Sequence, residues 1–314
     1  MNKVSIIGTG SVGSTIAYTL TVMGLASEIV MIDINNEKAL GEALDIRQGT
    51  PFSSNCTIWA GGYEDAKDSN IVILTSGVAR KPGQSRLELA QTNVNITNTI
   101  IPQITKYAPE AIYIIVANPV DILTYQFCKR AGLPENRIIG SGTILDTARL
   151  KSRLSQYYNI SQNNVHAYVF GEHGDSSFIP WSLANISNVP VSEYHSMMTN
   201  ETDDYPELDL NEVEQYVRKS GARVIARKGA TFYAVAVSVC HICKCLLNGM
   251  DTTMTVSTMM HGEYGVDDVC LSVLNVVGSE GAHSKLLAPL TDAEIALLRR
   301  SANMLKDVIK NLEI

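Results

Sequence analysis

Four short runs of apolar, largely β-branched residues, at 4–7, 29–32, 71–74 and 112–116, are separated by stretches whose apolar residues recur at helical spacing. Strands that are apolar on both sides must be covered on both faces, which is the condition of a parallel sheet wrapped by helices. The helical stretches lie at 12–23, 37–47 and 87–107. The order β-α-β-α-β-α-β predicts an α/β fold, a doubly wound parallel sheet with right-handed crossovers. After about residue 140 the pattern changes. Helical spacing dominates at 147–158, 210–248 and 292–313, with strand-like pieces at 165–170 and 267–277. Residues 1–140 and 141–314 are therefore expected to form two domains, the second of α+β type. That division suits 314 residues at roughly 150 residues per domain.

Composition narrows the functional classes. A hydrophobic share of 45% excludes a mostly disordered chain. A net charge of −7 and a pI near 5.4 argue against nucleic acid, which needs a clustered basic surface. The longest clearly apolar run, 111–117, is far short of the roughly 18 residues that span a membrane. The chain enters an apolar strand from its first residues with no signal-peptide layout. A cytoplasmic protein is expected, with neither a nucleic-acid nor a membrane partner.

Six cysteines are too sparse for a disulfide scaffold of this length. Cys240, Cys243 and Cys245, with His241 among them, resemble half of a metal site, but no second ligand pair follows. The run lies in an apolar stretch, so buried free thiols are expected and no metal is assigned.

The first strand runs into Gly8-Thr9-Gly10-Ser11-Val12-Gly13, and a helix follows at once. Gly8 permits the tight turn, Gly10 lets the backbone approach a pyrophosphate, and Gly13 allows close helix–strand packing. The helix N-terminus offers free N–H groups to that anion. Twenty positions after Gly13, Asp33 closes the second strand, where a carboxylate can accept both ribose hydroxyls and repel a 2′-phosphate. With strand, spacing and acid all present, NAD binding on a Rossmann-type sheet is preferred to a chance glycine turn.

His173 stands in the glycine-flanked turn Gly171-Glu172-His173-Gly174-Asp175, after the expected strand 165–170. Asp146 and Arg149 lie three apart on one helical face. A buried aspartate beside an imidazole would raise its pKa and fix its tautomer, and an arginine can grip a carboxylate with two parallel bonds. Spacing alone equally fits an ordinary surface ion pair. The run from Gly77 to Arg86 gathers Arg80, Lys81 and Arg86 among glycines and a proline, at the sheet edge where such folds bind ligands. A solvated charged loop is the alternative.

Together these motifs resemble the lactate/malate dehydrogenase family over essentially the whole chain. The likeness rests on the glycine motif, on Lys81-Pro82-Gly83-Gln84-Ser85-Arg86, and on Asn118-Pro119-Val120-Asp121. It rests equally on the run Gly140-Ser141-Gly142-Thr143-Ile144-Leu145-Asp146-Thr147-Ala148-Arg149 and on the His173 turn. The resemblance implies hydride transfer between NAD and a small 2-keto or 2-hydroxy acid. His173 would be the acid/base and Asp146 its orienting partner, while Arg86 would polarise the carbonyl. Arg149 would bind the substrate carboxylate, Asn118 the reacting oxygen, and Thr231 would line the side-chain pocket. Gly8, Gly10, Val12, Gly13, Asp33, Lys38, Gly77, Asn118 and Ser141 would contact the cofactor.

Substrate choice pulls two ways. Arg80 stands where malate-type members carry arginine and lactate-type members glutamine. A second cation under a closed loop suits a dicarboxylate and is left unpaired beside a methyl group. Gln84 adds weight on the same side, since many lactate-type loops carry a glutamate there. The segments 140–143, Trp181-Ser182 and Gly229-Ala230-Thr231 look lactate-type. Pyruvate and L-lactate are the expected pair, with oxaloacetate and malate as the alternative. The resemblance also implies a homotetramer, with a fructose 1,6-bisphosphate site at Lys151 and His166. Lysine replaces the family's arginine there and loses its bidentate fork.

Overall fold

The computed structural model describes residues 2–78, 85–198 and 208–314. The first half runs β1 (Lys3–Ile7), α1 (Ser11–Val22), β2 (Glu28–Ile32), α2 (Asn36–Gly49), β3 (Thr57–Ala60), β4 (Ile71–Leu74), α3 (Arg86–Tyr107), β5 (Ile112–Ile115), α4 (Val120–Arg130) and β6 (Ile138–Gly140). The second half runs α5 (Ile144–Tyr158), β7 (Val165–His166), β8 (Asn185–Ile186), β9 (Val189–Pro190), α6 (Val191–Tyr194), α7 (Leu210–Lys228), α8 (Tyr233–Asn248), β10 (Thr252–His261), β11 (Asp267–Gly278), β12 (Gly281–Lys285) and α9 (Asp292–Ile309).

Among the described residues the main sheet has the order β12-β11-β10-β6-β5-β4-β1-β2-β3. The block from β3 to β6 is parallel, as the double-sided apolar runs require. Side chains alternate between its faces. Val30, Ile32, Val72, Leu74, Tyr113 and Ile115 join one core with α3, α4 and α9. Ile29, Met31, Ile71, Ile73, Ile112 and Ile114 join another with α1 and α8. Each such side chain contributes about 1.5–3 kcal/mol on burial. Strand order reverses between β1 and β4, which opens a crevice at their carboxyl ends, and the ligand site of such sheets lies there.

Two expectations need correction. The strand expected at 165–170 stops at His166; Phe170 then pairs with Phe178, and Gly171 with Ser272, as isolated bridges. The helix expected over 210–248 breaks at Gly229, whose φ of +86° is a conformation that side-chain-bearing residues rarely adopt. The antiparallel pair β10–β11 extends the main sheet: Ser257 of β10 pairs with Gly140 of β6, so the sheet runs unbroken across residue 140.

Among the described residues no helix is long and apolar enough to cross a membrane. Cys240, Cys243 and Cys245 are buried free thiols, and burial pushes the Cys240 thiol up to about 12. Among those residues no group of three or more His, Cys, Asp or Glu is arranged to hold a metal ion.

Candidate active site

The turn after β1 is built for a close approach. Gly8 has φ +97°, and a Cβ there would lie 2.7 Å from the Ser76 amide nitrogen. A Cβ on Gly13 would lie 1.9 Å from the Gly8 carbonyl oxygen, so only glycine lets α1 leave β1 at this angle. Gly10 faces open space, with nothing within 4 Å of the Cβ position. It gives α1 no side-chain cap, and the first turn, in which Val12 is half-buried, carries no acid. These free amides suit a phosphate. Ser76 Oγ, at the adjoining end of β4, is buried with no partner among the described residues, a further polar group left for a ligand.

Asp33 accepts from Thr9 N at 2.7 Å, Thr9 Oγ1 at 3.1 Å and Asn35 N at 2.9 Å. Burial would raise its pKa, but these hydrogen bonds and the charge of Lys38 hold the carboxyl below its usual range. Lys38 and Gly77 are exposed, and Ser141 is half-buried with its N–H bonded to Ile115 O at 2.8 Å. Open cradle, free amides and ionised acid all fit a dinucleotide.

The group expected to act as acid/base is assembled from distant parts of the chain. The first turn of α5 presents Asp146, whose side chain is 9% exposed. Its Oδ2 accepts from His173 Nδ1 at 2.5 Å and its Oδ1 from Arg149 Nη1 at 2.8 Å. The Asp146 charge, working against burial, pushes the His173 imidazole up to about 9. Burial opposes ionisation of Asp146, yet His173 and Arg149 outweigh it and hold the carboxyl below its usual range. Arg149 is therefore no loose surface partner; it shares one carboxylate with the histidine.

Three consecutive amides of the His173 turn are gripped by three different elements. Gly171 N donates to Ser272 O of β11 at 2.9 Å. Glu172 N donates to Ser301 Oγ of α9 at 2.8 Å. His173 N donates to Asp121 Oδ2 of α4 at 2.7 Å. Asp121 is 2% exposed and also accepts from Ser257 Oγ at 2.6 Å. Burial pushes its carboxyl up to about 6.

Other expected residues sit as follows. Arg86, the first residue of α3, is exposed and paired with Asp175 of the His173 turn at 2.5 Å. The Asn118 side chain is exposed at the end of β5, while its backbone oxygen accepts from Asn93 Nδ2 at 2.7 Å. Thr231 is half-buried in the break between α7 and α8. Lys151 is half-buried with its ammonium 5.8 Å from the Tyr168 ring, and His166 is exposed on β7, two residues before that tyrosine. Arg80 lies outside the described residues.

Residues 2–140 match the NAD-binding domain model of the lactate/malate dehydrogenases, and residues 143–313 match that of their alpha/beta C-terminal domain. The chain belongs to the lactate/malate dehydrogenase family. An L-lactate dehydrogenase of Acetivibrio thermocellus is 44% identical over all of this chain and 98% of its own length. One from Clostridium perfringens is 45% identical over 100% and 98%. Among solved structures, a lactate dehydrogenase from a deep-sea metagenome library superposes with TM-score 0.95 at 36% identity, covering 100% of this chain and 99% of that one. The minor L-lactate dehydrogenase of Enterococcus mundtii gives 0.94 at 38%, with the same coverage.

Reading the sequence gave no role to Asp121, Asn93, Ser257 or Ser301. Asn93 did carry a signal, as a polar residue on the face of α3 that buries Ala90, Val94, Thr97 and Ile101.

Proposed function

We propose that the chain is an NAD-dependent L-lactate dehydrogenase, with residues 1–140 holding the dinucleotide and residues 141–314 supplying acid/base and carboxylate-binding groups. The observation that carries this reading is the buried Asp146 carboxylate shared by His173 and Arg149. It sets a proton donor beside a carboxylate-binding fork, the pair a 2-keto acid needs. The full-length likeness to L-lactate dehydrogenases supports pyruvate and lactate as the substrates.

Donation from Nδ1–H to Asp146 leaves the exchangeable proton of His173 on Nε2. That proton passes to the keto oxygen during reduction and returns from the hydroxyl during oxidation. Asp146 stays ionised and balances the imidazolium. Arg149, anchored at Nη1, turns its remaining donors to the substrate carboxylate. Arg86 exchanges Asp175 for the polarised carbonyl oxygen, and Asn118 bonds the same oxygen. Thr231 lines the side-chain pocket. Gly8, Gly10, Val12, Gly13, Asp33, Lys38, Gly77, Asn118 and Ser141 would hold the dinucleotide, which when bound would supply the hydride chemistry at C2.

A second reading has Arg80 and Gln84 in its favour. Arg80 is a cation on the substrate loop, and it would pair the second carboxylate of oxaloacetate. Assembly as a cytoplasmic homotetramer, with fructose 1,6-bisphosphate bound near Lys151 and His166, belongs to the same proposal. NADH oxidation by the purified protein tests all of it, with kcat/KM compared for pyruvate and oxaloacetate, with and without the sugar bisphosphate, beside size exclusion. Pyruvate preference is the expected outcome. Oxaloacetate preference, reversed by Arg80→Gln, favours the second reading, and activity on neither acid sinks both.

A further inference from the structure

Asn93 lies on α3 seven residues after Arg86, two turns on, and so on the same side of the helix. It is 2% exposed, and its amide is spent entirely on backbone. Oδ1 accepts from Val78 N at 2.9 Å. Nδ2 donates to Val78 O at 3.3 Å and to Asn118 O at 2.7 Å. One side chain thus ties the loop leaving β4 to the loop leaving β5, and ties both to the helix that begins with Arg86. The fit is close, since a Cβ on Gly77 would stand 3.2 Å from Asn93 Oδ1.

No other amino acid fills the place without loss. Aspartate keeps the acceptor for Val78 N but turns a second oxygen on the Asn118 carbonyl. Alanine leaves that carbonyl and the Val78 amide without their partner. A buried amide whose acceptor and donor are both satisfied by backbone holds the two loops in one geometry, and losing it strands buried backbone groups.

We propose that Asn93 is a positioning residue for hydride transfer, fixing Asn118 and the start of α3 so that Asn118 and Arg86 meet the reacting oxygen together. The inference rests on the 2-keto acid reading of the site. It concerns the geometry of the reacting oxygen, not cofactor affinity and not fold stability alone.

The test uses the full chain with NADH and pyruvate. Turnover by the unaltered protein decides the functional reading, and the ratio of variant to wild type decides the role of Asn93. Asn93→Ala and Asn93→Asp are each expected to lower kcat about 100-fold, the scale on which small misplacements of reacting groups act. The NADH dissociation constant, read by fluorescence, should stay within about threefold of wild type. The primary isotope effect with C4-deuterated NADH should rise, because hydride transfer becomes the slow step. Asn93→Asp carries the test if the alanine variant does not fold. A kcat near wild type in either folded variant overturns the proposal. So does a loss that follows the NADH dissociation constant, or an unchanged isotope effect.

Discussion

Replacing Asp146 with Asn changes the centre of the site by very few atoms. The carboxylate stands 2.5 Å from His173 Nδ1 and 2.8 Å from Arg149 Nη1. Its charge is the largest cause of an imidazole pKa near 9, while burial and Arg149 push the other way. With the charge removed, both opposing effects remain, and the imidazole falls to about 6.5 or below. At pH 7.5 the imidazolium then makes up about a tenth of the enzyme or less, where it was nearly all of it. Arg149 also loses a charged anchor. Together these predict about a 100-fold loss in kcat/KM for pyruvate at that pH. The pH profile is the decisive assay. Reduction needs the protonated ring, so wild-type kcat/KM should fall as pH rises through about 9, and in D146N it should fall from about 6.5 or lower. Lactate oxidation needs the neutral ring and should shift with the opposite sign. Linkage follows the same order: the raised His173 pKa contributes about 3 kcal/mol of stability, fully present below pH of about 6.5 and lost as pH rises through the folded value. An alkaline limb that does not move in D146N would refute the assignment of His173 and Asp146 as the acid/base pair.

The glycine cradle separates cofactor binding from folding. Gly10→Ala, with open space around its Cβ position, should leave Tm nearly unchanged while weakening NADH about 10-fold or more in a fluorescence titration. Gly13→Ala must place a Cβ 1.9 Å from Gly8 O, so Tm itself should drop. Asp121→Ala leaves the buried His173 N–H and Ser257 hydroxyl without a partner; about 3 kcal/mol of stability in urea titration, with reduced kcat, is expected. Arg149→Lys loses the planar fork and should raise KM for pyruvate about 10-fold or more, with NADH affinity unchanged.

What could be read from the chain follows the range of the interactions involved. β1, β2, β4 and β5 were legible because double-sided burial writes itself into consecutive residues. β3, as long as β4 and β5, is an edge strand with only Ile58 buried, and β6 has just three residues, so neither carries that pattern. β10 was missed because its buried positions include Thr255, Ser257 and Thr258, polar residues that read as exposed. Their partners are supplied from afar: Asp121 takes the Ser257 hydroxyl, Thr147 pairs with Thr255, and Asn275 accepts from Thr258. The helical pattern of 210–248 ran on because apolar spacing passes through Gly229, whose positive φ is a backbone property that a periodicity does not register. At the site, glycine flanks marked His173. Its supports lie 52 residues away in Asp121 and 27 in Asp146. No local pattern connects such positions; only the fold does.

The site divides its residues into those that are held and one that is free to travel, and the divide follows burial. The His173 turn is gripped through three successive amides by α4, α9 and β11, elements from both halves of the chain. A proton donor must meet its acceptor within a few tenths of an ångström, and buried hydrogen bonds to separate elements meet that demand, because moving the turn would break all of them together. Arg86 is placed otherwise. Its ion pair with Asp175 joins side chains 71% and 67% exposed, and such pairs contribute little, about 0–1 kcal/mol. The proposed exchange of Asp175 for a substrate oxygen would therefore cost almost nothing, while displacement of His173 would break several hydrogen bonds. The same ion pair keeps the guanidinium beside the His173 turn, so under the proposed roles the exchange is a short swing from a partner already next to the acid/base group.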